Sequence, residues 1–92
     1  MESVAILLHQ YRQELERATA VAPEREQHLC SLLLHELASL EAAVAGNNQS
    51  AINGCVTNQR QLFGRSFLSG KTGQSAELAF NRVSRALGHS VT

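Results

Sequence analysis

The segment between Pro23 and Gly46 places the strongest constraint on the fold of this chain. Its apolar residues recur three and four positions apart, which is the spacing of one face of an α-helix. Proline suits a helix start because its missing N–H would be unpaired there, and glycine can close a helix in the left-handed conformation. The segment predicts a helix over 23–45 whose apolar seam is formed by Cys30, Leu33, Leu37, Leu40 and Val44.

Three other segments show the same periodicity, and none of the chain shows strand alternation over a useful length. They predict helices over about 3–20, 50–63 and 74–87. With only 92 residues, the chain is long enough for one domain and too short for two. We therefore expect a single all-α domain over 1–92, a small four-helix bundle in which a helical hairpin is joined by two further helices.

Particular residues are expected to mark the helix ends and one close contact. A side-chain oxygen at the start of a helix can accept a hydrogen bond from its exposed amides, which suggests Ser3 for the first helix and Asn48 or Ser50 for the third. Gly54 lies inside the third helix, where glycine lowers helix stability. Such a glycine is often kept where another backbone comes close, so we expect a tight crossing there.

The two halves of the chain carry opposite charge although the whole is neutral. Residues 1–46 hold seven glutamates and three arginines, a balance of −4, and residues 47–92 hold four arginines and one lysine against one glutamate, a balance of +4. The halves could neutralise each other inside the fold, or the basic half could serve an acidic partner or nucleic acid.

Residues 64–74 are expected to form a long polar connection before the last helix, since they are rich in glycine and serine. Its aromatic and apolar residues could plug the end of the bundle, or could anchor a partner, because an aromatic beside arginine is typical of binding hot spots. The candidate partner-binding residues are Arg60, Arg65, Phe67, Leu68 and Lys71.

The sequence gives little support for catalysis, nucleotide binding or metal binding. The Gly70-Lys71-Thr72 string lacks the glycine that a phosphate-binding loop needs five residues before Gly70, where Arg65 stands. His28 and His35 lie about 10 Å apart along one helix, too far to share a metal ion. The chain has no aspartate to orient a histidine. We expect no enzyme, no metal and no cofactor.

The first residues offer only a short apolar run, Val4 to Leu8, without a preceding basic residue. That pattern favours neither a secretory signal nor a membrane span. Two cysteines do not make a disulfide framework, so both thiols are expected to be free in a reducing cytoplasm.

The segment Leu62-Phe63-Gly64, followed by a loop and a closing amphipathic helix, resembles short bacterial all-helical immunity-like families in which a Leu-rich hairpin is paired with an aromatic-glycine loop. The likeness covers about residues 29–87 and implies binding of a cognate toxin. This chain departs from the pattern at Arg65-Ser66-Phe67-Leu68, where a second glycine-rich turn would stand.

The expected function is therefore protein binding, in the form of an immunity or inhibitor protein that neutralises a toxin. One alternative is a secretion-type chaperone or structural adaptor, which could form a homodimer. It would act through the second helix, where Leu29, Leu32 and Leu34 widen the apolar face. The other is nucleic-acid binding through the basic half. Another protein is the favoured partner, nucleic acid is less favoured, and no membrane is expected.

Overall fold

The fold consists of four helices and was obtained as a computed structural model that describes residues 3–65, 68 and 70–88. No strand occurs among those residues, which confirms the predicted all-α four-helix class. The domain measures 35 × 24 × 23 Å. The helices are α1 (Val4–Val21), α2 (Glu24–Ala45), α3 (Gln49–Arg65) and α4 (Gly70–Ala86).

Each helix runs antiparallel to the next. The connections over 22–23 and 46–48 are short, as is typical of antiparallel neighbours in a helical bundle. α3 and α4 meet through side chains: the rings of Phe63 and Phe80 lie 5.4 Å apart, and Arg60 donates a hydrogen bond to Ser84. The closest helix pairs are α1 with α4, α2 with α3 and α1 with α2.

The core is formed by the apolar faces that the periodicity indicates. Four of the five predicted seam residues of α2 are fully buried, and Val44 is half-buried against the core. Tyr11, Phe63 and Phe80 join α1, α3 and α4, with the rings of Tyr11 and Phe80 5.7 Å apart. Burying each large side chain of this kind contributes about 1.5–3 kcal/mol, so these contacts supply most of the stability.

One polar pair lies inside this apolar core. The phenol of Tyr11 donates a hydrogen bond of 2.5 Å to Oε1 of Gln59, which ties α1 to α3 across the bundle. Both residues are fully buried, and no described residue provides a hydrogen-bond partner for Nε2 of Gln59. Burial raises the pKa of the Tyr11 phenol far above its ordinary value, so Tyr11 is a hydrogen-bond donor at every ordinary pH.

The helix ends differ in two respects from expectation. Ser3 does precede α1, but its side chain makes no capping bond. The left-handed residue that closes α2 is Asn47 (φ 51°) rather than Gly46 (φ −85°). The amides of Asn47 and Asn48 donate to the carbonyls of Val44 and Ala43, which is a Schellman motif, and asparagine tolerates its left-handed position because its side chain is short and polar.

Asn48 rather than Ser50 caps α3, since its Oδ1 accepts a hydrogen bond of 3.2 Å from the amide of Ala51. We expect Asn48→Ala to lower the free energy of unfolding by about 1 kcal/mol because that amide loses its partner. Ser50→Ala is the matched control and should have almost no effect. Urea denaturation followed by circular dichroism measures both, and an equal or larger loss for Ser50→Ala would contradict the assignment.

The connection between α3 and α4 is much shorter than predicted. α3 continues to Arg65 and α4 begins at Gly70, so the expected loop over 64–74 is wrong and only residues 66–69 separate the two helices. Gly70 enters α4 with φ +77°, which a side chain would strain. Gly73 is buried in the second turn of α4, where a Cβ would lie 2.3 Å from the carbonyl oxygen of Leu68.

α2 is long and apolar enough to cross a membrane by length and composition alone. Within the described residues it is also the helix whose seam fills the bundle core, between α1 and α3. The core helix of a water-soluble bundle meets the same criteria, so this property of α2 adds no argument for a membrane span.

Candidate partner-binding face

The cations predicted to bind a partner are separated by the fold. Arg65 and Lys71 are exposed, on either side of the α3–α4 connection. Arg60 is half-buried, and its guanidinium donates a hydrogen bond of 2.6 Å to Oγ of the buried Ser84. Arg60 therefore contributes to the packing of α3 on α4, and only Arg65 and Lys71 of the predicted cations extend fully into solvent.

The two apolar residues predicted to bind a partner are Leu68 and Phe67. Leu68 is only 6% exposed and belongs to the hydrophobic core, so it does not present an outward anchor as expected. The physical reason is its position over Gly73, whose missing side chain leaves room for Leu68 to pack into the end of the bundle. Phe67 lies outside the described residues.

The solvent-facing side of α4 carries a stripe of residues at spacings of three and four, which places them on one face of the helix. All of them are exposed, and the buried residues of α4 lie on the opposite side. The centre of this stripe is Leu78, a large apolar side chain that is 58% exposed. We call these residues the α4 stripe: Lys71, Gln74, Leu78, Arg82 and Arg85.

The cations of the α4 stripe make no ion pair with any other described residue. The ion pairs found in those ranges join residues of the acidic half to one another: Arg12 with Glu41, Arg17 with Glu14 at 2.8 Å, and Arg25 with Glu26. The positive charge of the C-terminal half is therefore not neutralised by these contacts. It remains available to an external acidic group.

A second stripe runs along the neighbouring helix α1. Its members recur at spacings of four, three, four and four and are all exposed. Two of them are large apolar side chains, Ile6 at 55% and Val21 at 67% exposure. We call these residues the α1 stripe: Ile6, Gln10, Gln13, Arg17 and Val21.

The two stripes border a groove of about 340 Å³ between α1 and α4. Gln10, Gln13 and Arg17 line it from α1, and Leu78 and Arg82 line it from α4. The floor of the groove on the α4 side is formed by small side chains, Ser75 and Ala79.

Two carboxylates also lie at this face. Glu14 lines the groove but already accepts the bond from Arg17, and Glu77 is exposed beside Leu78 at the border of the α4 stripe. The face is therefore cationic with interspersed acids rather than uniformly positive.

A smaller groove of about 200 Å³ lies between α2 and α3, lined by Leu32 and Leu62 between Glu36 and Arg65. Leu32 is 38% exposed. Leu29 and Leu34, which widen the apolar face of α2 in sequence, instead pack partly buried against the core. The wide leucine surface expected for a chaperone or a dimer is thus reduced to Leu32 and its immediate neighbours.

Among the described residues, the cysteines and histidines are not gathered into a metal-binding cluster. Cys30 is buried in the core, Cys55 is half-buried, and both thiols are free. Burial and, secondarily, the charge of Glu36 raise the pKa of the Cys55 thiol, which makes it a poorer nucleophile at neutral pH. In the described ranges, no three histidine, cysteine or acidic side chains are grouped as metal ligands would be.

Comparison of this chain with protein-family models, with curated proteins and with solved structures finds no match. The resemblance to immunity-like families therefore stays an expectation. What the geometry defines is a class: a small all-α four-helix bundle with one cationic face that bears exposed apolar side chains.

Proposed function

We propose that this protein is a small binding module that recognises an acidic protein partner through the α4 stripe. The observation that carries the proposal is the exposure of Leu78 among Lys71, Arg82 and Arg85, none of which has an ion-pair partner among the described residues. An exposed apolar side chain bordered by arginines is the composition that contributes most to binding energy at protein interfaces. The surrounding cations would steer an acidic surface toward it.

A protein partner is favoured over nucleic acid by charge. The whole chain is neutral, and Glu77 lies beside Leu78, where it would repel a phosphate backbone. Nucleic-acid binding remains the second candidate, because the four-residue connection between α3 and α4 is short enough for a helix-turn-helix.

An immunity or inhibitor role is the form of this function in which the acidic partner is a toxin whose activity is blocked by binding. A chaperone role is the form in which the partner is a client held before its release. The cationic face supports both roles equally, because each role requires exposed charges that remain without an ion-pair partner until the other protein binds.

Charge reversal on the α4 stripe tests the proposal. We expect Arg82→Glu to weaken binding of the native partner at least about tenfold, since it replaces an attraction by a repulsion at the centre of the interface. Arg25→Glu changes the net charge by the same amount at a residue of α2 outside the α4 stripe, and should leave binding unchanged. Recovery of partner proteins by each tagged variant from the cells that produce the chain, at two salt concentrations, measures the effect.

Equal recovery of the same protein by wild type and Arg82→Glu would contradict the proposal. Recovery that disappears after nuclease treatment, together with a salt-sensitive retardation of DNA or RNA by the purified chain, would also contradict it. That result would establish the nucleic-acid alternative instead.

A further inference from the structure

We propose that the groove between α1 and α4 receives a single amphipathic helix of the partner, lying lengthwise, with its apolar residues toward Ile6, Leu78 and Val21 and its acidic residues toward the cations of the α4 stripe. This inference rests on the proposed function and names the structural form in which the acidic partner is recognised. It extends the binding surface from the α4 stripe to the α1 stripe.

The shape of the groove fits a helix. α1 and α4 form a closely packed antiparallel pair, and the furrow between two such helices accepts a third helix along its length. The small side chains of Ser75 and Ala79 let the backbone of an incoming helix come close. The groove is lined on α1 from Gln10 to Arg17, which is about two turns of a helix that is about 27 Å long in all.

The exposed apolar side chains are distributed along this furrow. Three of the four large apolar side chains that are exposed in the described residues belong to the two stripes: Ile6, Val21 and Leu78. Ile6 lies one turn before the groove residue Gln10, and Val21 lies one turn after Arg17, so each is near one end of the groove. Leu78 lines the groove itself. A helix with one apolar stripe presents its apolar side chains along one line and could contact all three.

The charges along the furrow select acidic residues on that helix. Because α1 and α4 are antiparallel, Arg85 lies near the Ile6 end and Lys71 near the Val21 end, with Arg82 between them. Glu14 is already engaged by Arg17, and Glu77 lies at the outer border. A partner that carries acidic residues opposite these cations fits this face by charge complementarity.

A peptide probe tests this inference directly. The probe is a 21-residue peptide of Glu, Ala and Leu with its leucines on one helical face and a single Trp at the border of that face. Because the chain itself contains no tryptophan, the fluorescence of the peptide reports binding without background. Its controls are the same peptide with every Glu replaced by Lys, and a scrambled peptide of identical composition that has no apolar face.

We expect the Glu peptide to bind with one-to-one stoichiometry, with a blue-shifted Trp emission, and the Lys and scrambled peptides to bind at least tenfold more weakly. Leu78→Ser and Arg82→Glu should each weaken binding of the Glu peptide about tenfold. Leu32→Ser, an exposed leucine outside the two stripes, should leave it unchanged. Circular dichroism checks that all three variants keep their helices.

Equal binding of the scrambled peptide would overturn the helix inference, and so would equal weakening by Leu32→Ser. Sedimentation showing a dimer that Leu78→Ser dissociates would also overturn it, because a second copy would then cover the face. If the native partner is still lost in Arg82→Glu while the Glu peptide fails to bind, the helical form of recognition is wrong and the proposed function stands. If the native partner is retained by Arg82→Glu, the proposed function itself fails.

Discussion

Replacing Gly73 with alanine is expected to lower the free energy of unfolding by about 3 kcal/mol, which is the upper part of the usual range for overpacking. A Cβ at this position would lie 2.3 Å from the carbonyl oxygen and 2.5 Å from the carbonyl carbon of Leu68. Both are backbone atoms, so relief requires the chain at the start of α4 to move and Leu68 to leave the core. For a domain of this size the melting temperature should fall by about 15 °C.

Gly54→Ala is the matched control for that prediction. Gly54 is exposed in the interior of α3, and a Cβ there would have no atom within 4 Å. The substitution should therefore raise the free energy of unfolding by about 1 kcal/mol, since alanine favours the helix more than glycine does. Thermal and urea denaturation of both variants measure the pair. A neutral Gly73→Ala, or a Gly54→Ala that destabilises the domain, would contradict the described packing.

The second large effect is expected from the buried pair of Tyr11 and Gln59. Tyr11→Phe removes the hydrogen bond that the Gln59 side chain makes within the described residues and leaves its amide buried without that partner, which should cost about 2 kcal/mol. Gln59→Met leaves the Tyr11 hydroxyl unpaired, but it also removes Nε2, for which the described residues offer no partner, so its cost should be smaller, about 1 kcal/mol.

The double variant Tyr11→Phe/Gln59→Met should be nearly as stable as the wild type or more stable, because both polar groups are removed together and the shape of the side chains is kept. A double-mutant cycle of unfolding free energies measures the coupling, which we expect to be about 2 kcal/mol or more. If the losses of unfolding free energy in the two single variants simply add in the double variant, the two side chains do not interact. The pair fixes how α1 and α3 are aligned across the core.

Much of the fold could be predicted from the spacing of apolar residues. The seam of α2 from Cys30 to Leu40 is buried as expected, since a helix turns at a constant rate and so carries every third or fourth residue to the same side. The start of α4 could not be predicted in the same way. Glycine and serine at 69–75 favour a loop when read locally, yet Gly73 is needed inside the helix, because Leu68 packs directly over it.

The candidate site was predicted only in part. Arg82 and Arg85 stand three residues apart, and their shared helix face can be inferred from sequence. That Lys71 and Leu78 belong to the same stripe follows only once α4 is known to begin at Gly70. That Ile6, Arg17 and Val21 lie on the same face as the α4 stripe could not be inferred from sequence, because it depends on α1 being the neighbour of α4.

The helical class, the apolar side of each helix and the charge difference between the two halves follow from residues that lie close together along the chain. Contacts between distant segments determine which helices are neighbours, that Gly73 rather than Gly54 meets another backbone, and that Leu68 is buried while Leu78 is exposed. Several arrangements of four amphipathic helices can bury the same apolar faces. The choice among them is made by contacts between residues far apart in sequence, such as Tyr11 with Gln59.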